Sequence, residues 1–388
     1  MAGRRSILIF EYLLASPGVW KDASASMQRE AASMLAALVD DFARLPDVCP
    51  VVLVASHARE MIESSGLFSA AVEMLAMTED PADWLAHPDR DPRTFAATMV
   101  IAPECGGTLV SLLQQLQTGP WQSVPNLNVS WTLAEIFTDK FRTFQWLQRY
   151  GVPTPVTKAI SVAEYNELWH SRGCQHLFPD GQSMPLNEGL GILKPRDGVG
   201  CDGVSLIQGA SDEFSATAEE STAEKTSAET SASERPWLIQ EYIPGVPCSI
   251  GLIGRRGPGP ATILPPALQN LRLQNGHPVY CGGRIPCDSD LQNAILPLAE
   301  KLASAVGEFS GYLGVDIVVR RASSGELLAT VIELNPRLCT SYVGYRRATD
   351  RNLAGLILRE PAETEIHWST AVTEFEACGK IISPRDFR

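Results

Sequence analysis

The stretch that decides the fold lies in the middle of the chain and reads Leu193-Lys-Pro-Arg-Asp-Gly-Val-Gly-Cys-Asp-Gly203. Its three glycines match the spacing of a dinucleotide-binding fingerprint, but that fingerprint must open a helix. The residues that follow, 204–207, are mostly apolar and are typical of a strand. A glycine-rich turn between two strands is instead typical of a flap, whose backbone N–H groups approach phosphates closely because no Cβ blocks them.

The candidate phosphate-binding residues of this turn are Lys194, Gly198, Gly200 and Gly203. Lys194 precedes the glycines and would place a cation on the α- and β-phosphates of a nucleotide. The alternative is an ordinary hairpin with a surface lysine, and the turn alone favours the flap only modestly.

A second stretch, Val331-Ile-Glu-Leu-Asn-Pro-Arg337, places Glu333 and Asn335 on one face of a predicted strand, two residues apart. Asp316 is a carboxylate in the otherwise apolar strand 314–319. Oxygen ligands of this kind suit a hard cation such as Mg²⁺, and a carboxylate is rarely buried without a partner. The sequence therefore predicts a metal site at these residues, with a buried salt bridge to an arginine as the alternative.

Two further segments complete the candidate site. The first is Thr138-Asp-Lys140, within a helix predicted over Trp131–Tyr150 that ends at Gly151. The second is Trp237-Leu-Ile-Gln-Glu-Tyr-Ile-Pro-Gly245, an apolar strand that runs into a turn and could serve as a hinge. Its backbone can read the edge of a purine while its side chains form an apolar wall.

The chain has 388 residues, which predicts two or three domains or subdomains. Alternating strands and helices in 1–128 predict a parallel sheet with helices on its faces. The segments 129–244 and 245–360 are expected to be α+β lobes, and 361–388 a C-terminal extension. Residues 211–235 are almost all Ser, Thr, Ala and Glu, so we expect a disordered insertion there.

The composition restricts the classes of partner that the chain is expected to bind. A net charge of -13 argues against sequence-independent binding to nucleic acid or to an anionic membrane. No run approaches the roughly 20 apolar residues of a membrane helix, and the short run after Arg5 predicts a first buried strand rather than a signal peptide. Nine scattered cysteines without a C-x-x-C pair argue against zinc and suit a reducing cytoplasm.

Taken together and in this order, the four segments resemble the ATP-grasp superfamily from about Ser130 to Thr349. The resemblance implies an ATP-grasp fold, with a Rossmann-like N-terminal domain, a small central α+β lobe and a C-terminal α+β lobe. It implies ATP and Mg²⁺ (or Mn²⁺) as cofactors. The implied roles are phosphate contacts by Lys140 and Lys194, a flap at 198–203, an adenine hinge at Gln240, Glu241, Tyr242 and Ile243, and metal ligation by Asp316, Glu333 and Asn335. Arg337 is implied to steady the transferred phosphoryl group or an acyl phosphate, with Lys194 as the second catalytic cation.

The first domain carries a closer resemblance. Ile7-Leu-Ile-Phe-Glu-Tyr12, Val100-Ile-Ala-Pro-Glu-Cys-Gly-Gly107 and the segment Gln269–Pro286 are similar to the tyramine–glutamate-ligase-like, carboligase-like group of methanofuran biosynthesis. Two departures stand out. Pro247 and Cys248 occupy the region where many ATP-grasp ligases carry a ribose-binding Glu, and Leu13 to Pro17 replace most of the glycines of an N-terminal loop.

The resemblance implies an ATP-dependent acid–amine ligase with small-molecule carboxylate and amine substrates. Glu11, Glu104 and Arg284 are the candidate substrate contacts. Glu104 would hold an amine cation and Arg284 a carboxylate, or they could be a helix N-terminal charge and a solvated turn residue. Two alternatives remain, which are another ATP-grasp carboligase or amino-acid ligase, and a nucleotide-binding module without turnover. The oligomeric state is not readable from the sequence.

Overall fold

The computed structural model describes residues 4–65, 68, 72–171, 190–198, 203–207, 234, 236–254, 261–274, 277–358 and 366–382. Gly200 and, except for Glu234, the insertion expected at 211–235 lie outside the described residues. Within the described part of the chain, no helix is both long and apolar enough to cross a membrane.

The N-terminal domain is built on a four-stranded parallel sheet in the order β3-β2-β1-β4. Its elements are β1 (Arg5–Glu11), α1 (Tyr12–Ala15), α2 (Pro17–Asp22), α3 (Ala25–Ala43), β2 (Val48–Ala55), α4 (Ser56–Ser65), β3 (Glu73–Met77), α5 (Pro81–Ala86), β4 (Ala97–Ile101) and α6 (Thr108–Thr118). The central strands are buried on both faces, which is why the sequence reads there as continuous apolar runs. The carboxyl ends of β1 and β4 therefore lie side by side, at the edge where parallel sheets place ligands.

Two short helices, α7 (Trp131–Phe137) and α8 (Lys140–Arg149), connect this domain to the next. The prediction of a single helix over 131–150 was wrong, because α7 ends at Phe137 and Asp139 caps a new helix, α8. Its carboxylate accepts hydrogen bonds from the backbone N–H groups of Phe141 (2.9 Å) and Arg142 (3.1 Å). An aspartate at this position satisfies donors that the first turn of a helix leaves open, so α8 begins at Lys140.

Asp139 also holds the base of the glycine-rich turn. Arg196 Nε lies 2.8 Å from Asp139 Oδ1, and a guanidinium nitrogen lies 2.8 Å from Oδ2, with both side chains largely buried. We expect Asp139→Ala to lower the free energy of unfolding by about 3–5 kcal/mol, because it leaves Arg196 charged, buried and unpaired and removes a helix cap. Urea denaturation measures this change.

Asp91→Ala is the matched control for that variant. Asp91 also caps a helical turn and pairs with an arginine, Arg93, but the Arg93 side chain is 84% exposed. We expect Asp91→Ala to lower the free energy of unfolding much less than Asp139→Ala, because solvent screens the exposed Asp91–Arg93 pair. If the two variants lose the same free energy of unfolding, the Asp139–Arg196 pair stabilises the fold no more than an exposed pair does.

The central lobe is a four-stranded antiparallel sheet in the order β5-β8-β6-β7. Its elements are β5 (Thr157–Ile160), α9 (Val162–Ser171), β6 (Gly191–Pro195), β7 (Ser205–Ile207) and β8 (Trp237–Glu241). The pairing of Leu193 with Ser205 confirms that a strand follows the glycine-rich turn, so the dinucleotide fingerprint does not apply. Gly203 has φ +70°, and a Cβ there would lie 2.8 Å from Pro195 Cγ, so the turn requires glycine at this position.

The C-terminal lobe is a largely antiparallel sheet in the order β14-β13-β9-β11-β12-β15, with β10 paired to β9. Its elements are β9 (Val246–Ile253), β10 (Thr262–Ile263), β11 (Ala267–Gln274), β12 (His277–Ile285), α10 (Ser289–Val306), β13 (Tyr312–Arg321), β14 (Leu327–Asn335), α11 (Tyr342–Tyr345), α12 (Leu353–Leu358) and β15 (Thr373–Glu376). Asp316 on β13 pairs directly with Glu333 on β14, which puts both carboxylates on one face of the sheet.

A polar contact joins the N-terminal domain to this lobe. The buried carboxylate of Asp41, on α3, accepts hydrogen bonds from Tyr342 Oη (2.8 Å) and from two nitrogens of Arg346 (2.9 and 2.6 Å). The C-terminal residues add a second contact, since β15 pairs with β12 and Ser33 on α3 donates to the carbonyl of Ala377 (3.1 Å).

Candidate functional site

The three residues predicted to bind metal meet on one face of the β13–β14 pair. Asn335 Nδ2 donates to Asp316 Oδ2 at 2.9 Å, and Glu333 is the register partner of Asp316. Gln269 on β11 donates to the other oxygen, Oδ1, at 2.7 Å. The sequence had included Gln269 only in the family resemblance, because its contact with Asp316 depends on the order of strands in the sheet.

The electrostatics of this group fit a divalent cation. Burial, together with the neighbouring charge of Glu333, raises the pKa of Asp316 to about 6, although hydrogen bonds from Asn335 and Gln269 act in the opposite direction. Two close carboxylates in a partly buried site therefore carry negative charge that a bound cation would neutralise. Among the described residues no cluster of three or more His, Cys, Asp or Glu could hold a metal, so two carboxylates and one amide would need oxygens from a phosphate or water.

Lys140 links this group to the glycine-rich turn. Its Nζ lies 3.5 Å from Glu333 Oε1 and donates to the backbone carbonyl of Gly198. The side chain is largely buried at the start of α8, where the positive end of the helix dipole adds to its charge. Because Asp139 caps α8 and so makes Lys140 its first residue, the cap places the Lys140 side chain beside the carboxylates.

Lys194 lies in the neighbouring sheet. Its Nζ donates to Gln240 Oε1 at 2.8 Å, and Gln240 Nε2 donates to Thr157 Oγ1 at 2.9 Å. These three side chains come from β6, β8 and β5 and are all buried. A buried lysine ammonium that Gln240 positions suits a phosphate contact.

The remaining hinge residues follow β8. The backbone N–H of Glu241 is bonded to the carbonyl of Val156, and that of Tyr242 to the carbonyl of Leu190. The side chains of Glu241, Tyr242 and Ile243 are partly buried. Gly198 and Gly203 are placed at the two ends of the turn, while Gly200 lies outside the described residues.

Arg337 lies two residues beyond the end of β14 and pairs with a residue of the first domain. Its Nε donates to Glu104 Oε1 at 2.7 Å; the Glu104 side chain is buried and that of Arg337 is largely buried. Burial by itself would lower the pKa of Arg337, but the charge and hydrogen bond of Glu104 outweigh it and raise the pKa above its usual value. The structure thus brings together Arg337 and Glu104, which the sequence had assigned to separate roles.

The other two substrate candidates differ in position. Glu11 is buried at the end of β1, where its Oε2 accepts from Leu14 N at 2.9 Å and caps α1. Arg284 pairs with Asp288 at 2.8 Å, and its register partner Leu268 adjoins Gln269, whose side chain reaches Asp316. Because side chains alternate along a strand, Arg284 lies on the face opposite Asp316, and the structure does not bring it into the cluster.

Two further contacts were not foreseen. Gly106 N, in the turn after β4, donates to Asp197 Oδ2 at 3.1 Å, which joins the first domain to the glycine-rich turn. Glu30 on α3 accepts a hydrogen bond from the hydroxyl of Thr340. No motif marks either contact, because each depends on how the domains pack.

Comparison with known proteins agrees with this architecture. A family model described as an ATP-grasp domain matches residues 137–341. Tyramine–L-glutamate ligase of Methanocaldococcus fervens is 28% identical over 140 residues, which are 36% of this chain and 43% of that protein. The match therefore spans less than half the length of this relative.

Two solved structures share the fold. An ATP-grasp superfamily protein from Archaeoglobus fulgidus has a TM-score of 0.59 at 19% identity, over 95% of this chain and 91% of that chain. N5-carboxyaminoimidazole synthetase from Staphylococcus aureus has a TM-score of 0.58 at 13% identity, over 96% and 83%. The family model covers more than half of the sequence, and the chain belongs to the ATP-grasp family.

Proposed function

We propose that this chain is an ATP-dependent acid–amine ligase, which activates a carboxylate as an acyl phosphate and passes the acyl group to an amine. The observation that carries the proposal is the meeting of Asp316, Glu333 and Asn335 with Lys140 at the base of the glycine-rich turn. Membership of the ATP-grasp family and the similarity to a tyramine–L-glutamate ligase support it.

Each part of the site has a role in this proposal. The backbone of residues 240–243 borders the adenine, and Lys194 and Lys140 contact the phosphates. Asp316, Glu333 and Asn335 would hold Mg²⁺, which would offset the negative charge of the phosphate oxygens. The N–H groups at the ends of the glycine-rich turn cover the phosphates and exclude water, which would otherwise hydrolyse an acyl phosphate.

The reaction has two displacements. In the first, a carboxylate oxygen attacks the γ-phosphorus and ADP leaves with the electron pair of the broken P–O bond. In the second, the amine nitrogen attacks the acyl carbon, the C–O bond to phosphate breaks, and inorganic phosphate leaves. Arg337 stabilises the charge of the transferred phosphoryl group in both steps, and Glu104 fixes the position of its guanidinium.

The substrates that we propose first are L-glutamate and tyramine, in a cytoplasmic pathway to a methanofuran-like cofactor, because the curated relative carries this activity in its name. Magnesium is the proposed metal. A carboligase is the alternative, since the Staphylococcus aureus synthetase shares the fold over nearly the whole chain.

Release of ADP tests the proposal. We expect amine-dependent ADP formation from ATP, Mg²⁺ and L-glutamate with tyramine, at least about 10-fold above the rate without amine, because the acyl phosphate needs its acceptor to turn over. Glu333→Gln should abolish it, whereas Glu326→Gln, at an exposed turn of the same hairpin, should not. If a panel of amino acids and primary amines gives no amine-dependent ADP, the ligase proposal fails. If bicarbonate replaces the substrate carboxylate, so that ADP forms from ATP, bicarbonate and an amine, the carboligase alternative stands.

A further inference from the structure

Three carboxylates of the N-terminal domain converge opposite Arg337. Glu11 ends β1, Glu104 follows the adjacent strand β4, and Glu30 reaches the same region from α3, where it accepts a hydrogen bond from Thr340. The charges of Glu104 and Glu30 both raise the pKa of Arg337. The charge of Arg337 lowers the pKa of Glu11, and the charge of Glu30 raises it. Arg337 thus supplies one positive charge against three carboxylates that lie within electrostatic range of it.

One oxygen in this group is buried and unsatisfied. Glu104 is 3% exposed, its Oε1 is bonded to Arg337, and its Oε2 has no hydrogen-bond partner among the described residues. A buried charged oxygen without a donor costs stability, so its retention points to a donor that arrives with a ligand. The surplus of negative charge selects a cationic donor and repels a second carboxylate.

The location matches the second half-reaction. The cluster lies at the carboxyl edge of the parallel sheet and next to Arg337, which lies two residues beyond the metal ligand Asn335. An amine bound there would approach an acyl phosphate from the side of the first domain, away from the nucleotide lobe.

We propose that Glu11, Glu30 and Glu104 form the subsite for the ammonium group of the acyl acceptor, and that Glu11 takes the proton that this group loses. This inference rests on the proposed ligase function. In the step, Glu11 takes one proton from the ammonium, the N–C bond forms and the C–O bond to phosphate breaks. The second proton that the nitrogen loses leaves with inorganic phosphate. Glu104 Oε2 accepts a hydrogen bond from the ammonium and orients it.

The environment of Glu11 suits this transfer. The pKa of Glu11 is raised to about 7, mainly by burial and in addition by the charge of Glu30 on α3. The N–H groups of Leu14 and Leu13 on α1 and the charge of Arg337 act in the opposite direction. A base with a pKa near the working pH combines a useful ionised fraction with sufficient proton affinity.

The test separates amine deprotonation from acyl-phosphate formation. Hydroxylamine is largely neutral at pH 7 and captures acyl phosphates as hydroxamates without an ammonium to deprotonate. For Glu11→Gln we expect amide formation to fall by about 10²-fold or more, the usual range for loss of a general base. Hydroxamate formation and the KM for ATP should stay within about 2-fold of the wild type.

The pH profile gives a second readout. For the wild type, kcat/KM for the amine should rise with pH through about 7 and level off, and Glu11→Gln should lose this limb. Glu30→Gln should raise the KM for the amine by about 10-fold with less effect on kcat, since it removes charge from the binding site. Glu63→Gln, in an exposed pair with Arg59 on α4, is the matched control and should change neither quantity.

The outcomes are distinct. Equal loss of amide and hydroxamate in Glu11→Gln, or an unchanged pH limb, would overturn the inference and leave the ligase proposal intact. If the wild type forms neither amide nor hydroxamate with any carboxylate tested, the ligase proposal fails and this inference falls with it.

Discussion

Asp316→Asn is expected to lower kcat for ATP-dependent ligation by about 10²–10³-fold, the range found when one electrostatic group that stabilises a transition state is removed. The reason is its position between β14 and β11, where Asn335 and Gln269 each donate to one of its oxygens and Glu333 is its direct neighbour. An amide of the same shape retains the packing but removes the charge that would hold a divalent cation. Steady-state ADP release measures the effect.

The control is Asp288→Asn, which removes an exposed carboxylate from the opposite side of the same lobe. It should leave kcat within about 2-fold of the wild type. If Asp316→Asn retains more than about a tenth of the activity, the proposed metal site is wrong.

The pH dependence of stability gives an independent check on Asp316. In the metal-free protein its pKa is about 6, above the ordinary value of 3.8, so the folded state binds the proton more tightly than the unfolded state. The stabilisation of the folded state by this bound proton is fully present below about pH 4 and is lost as the pH rises through about 6. Mg²⁺ with ADP should therefore raise the Tm of the wild type at pH 7.5 clearly more than that of Asp316→Asn, as differential scanning fluorimetry would show.

Arg337→Met is expected to affect both activity and stability. Loss of the guanidinium should lower kcat by about 10²–10³-fold, because the charge of the transferred phosphoryl group is no longer stabilised. The variant also leaves Glu104 buried at 3% exposure without its partner, which should cost about 3–5 kcal/mol in the free energy of unfolding. Kinetics and urea denaturation measure the two effects.

The double variant Glu104→Gln with Arg337→Met separates the two roles. It removes the stranded charge, so most of the lost stability should return while activity stays low. Arg284→Met, whose partner Asp288 has a side chain 68% exposed, is the matched control and should cost about 1 kcal/mol or less. Recovery of activity in the double variant would show that Arg337 acts only as a structural partner of Glu104.

The grouping of the candidate metal ligands Asp316, Glu333 and Asn335 could be predicted from local pattern. Glu333 and Asn335 alternate correctly on an apolar strand, and a lone carboxylate such as Asp316 in another apolar strand invites a partner. The register that sets Asp316 opposite Glu333 could not be predicted, because it depends on the bulge after Asp316 and on the order of the sheet.

The errors have physical causes. The break between α7 and α8 arises from the cap at Asp139, a signal that an apolar helical pattern on both sides obscured. Strands β11 and β12 were not predicted, since Pro266, Pro278 and a Gly-Gly pair interrupt a region of mixed polarity. The position of Arg284 on the face opposite Asp316 follows from strand alternation, which only the observed register could supply.

The contacts of Asp41 and of the C-terminal strand β15 have a consequence for motion. The first domain and the large lobe are joined at several places, among them the contacts of Tyr342 and Arg346 with Asp41 and of Ser33 with Ala377. The pairs Arg337–Glu104 and Thr340–Glu30 add to these contacts. Because these contacts are separate in space, rotation about any one of them would break the others, so we expect the two parts to move as one body. We therefore expect opening for substrate exchange to be a movement of the central sheet about the links around Asp139, with the proposed amine subsite remaining assembled.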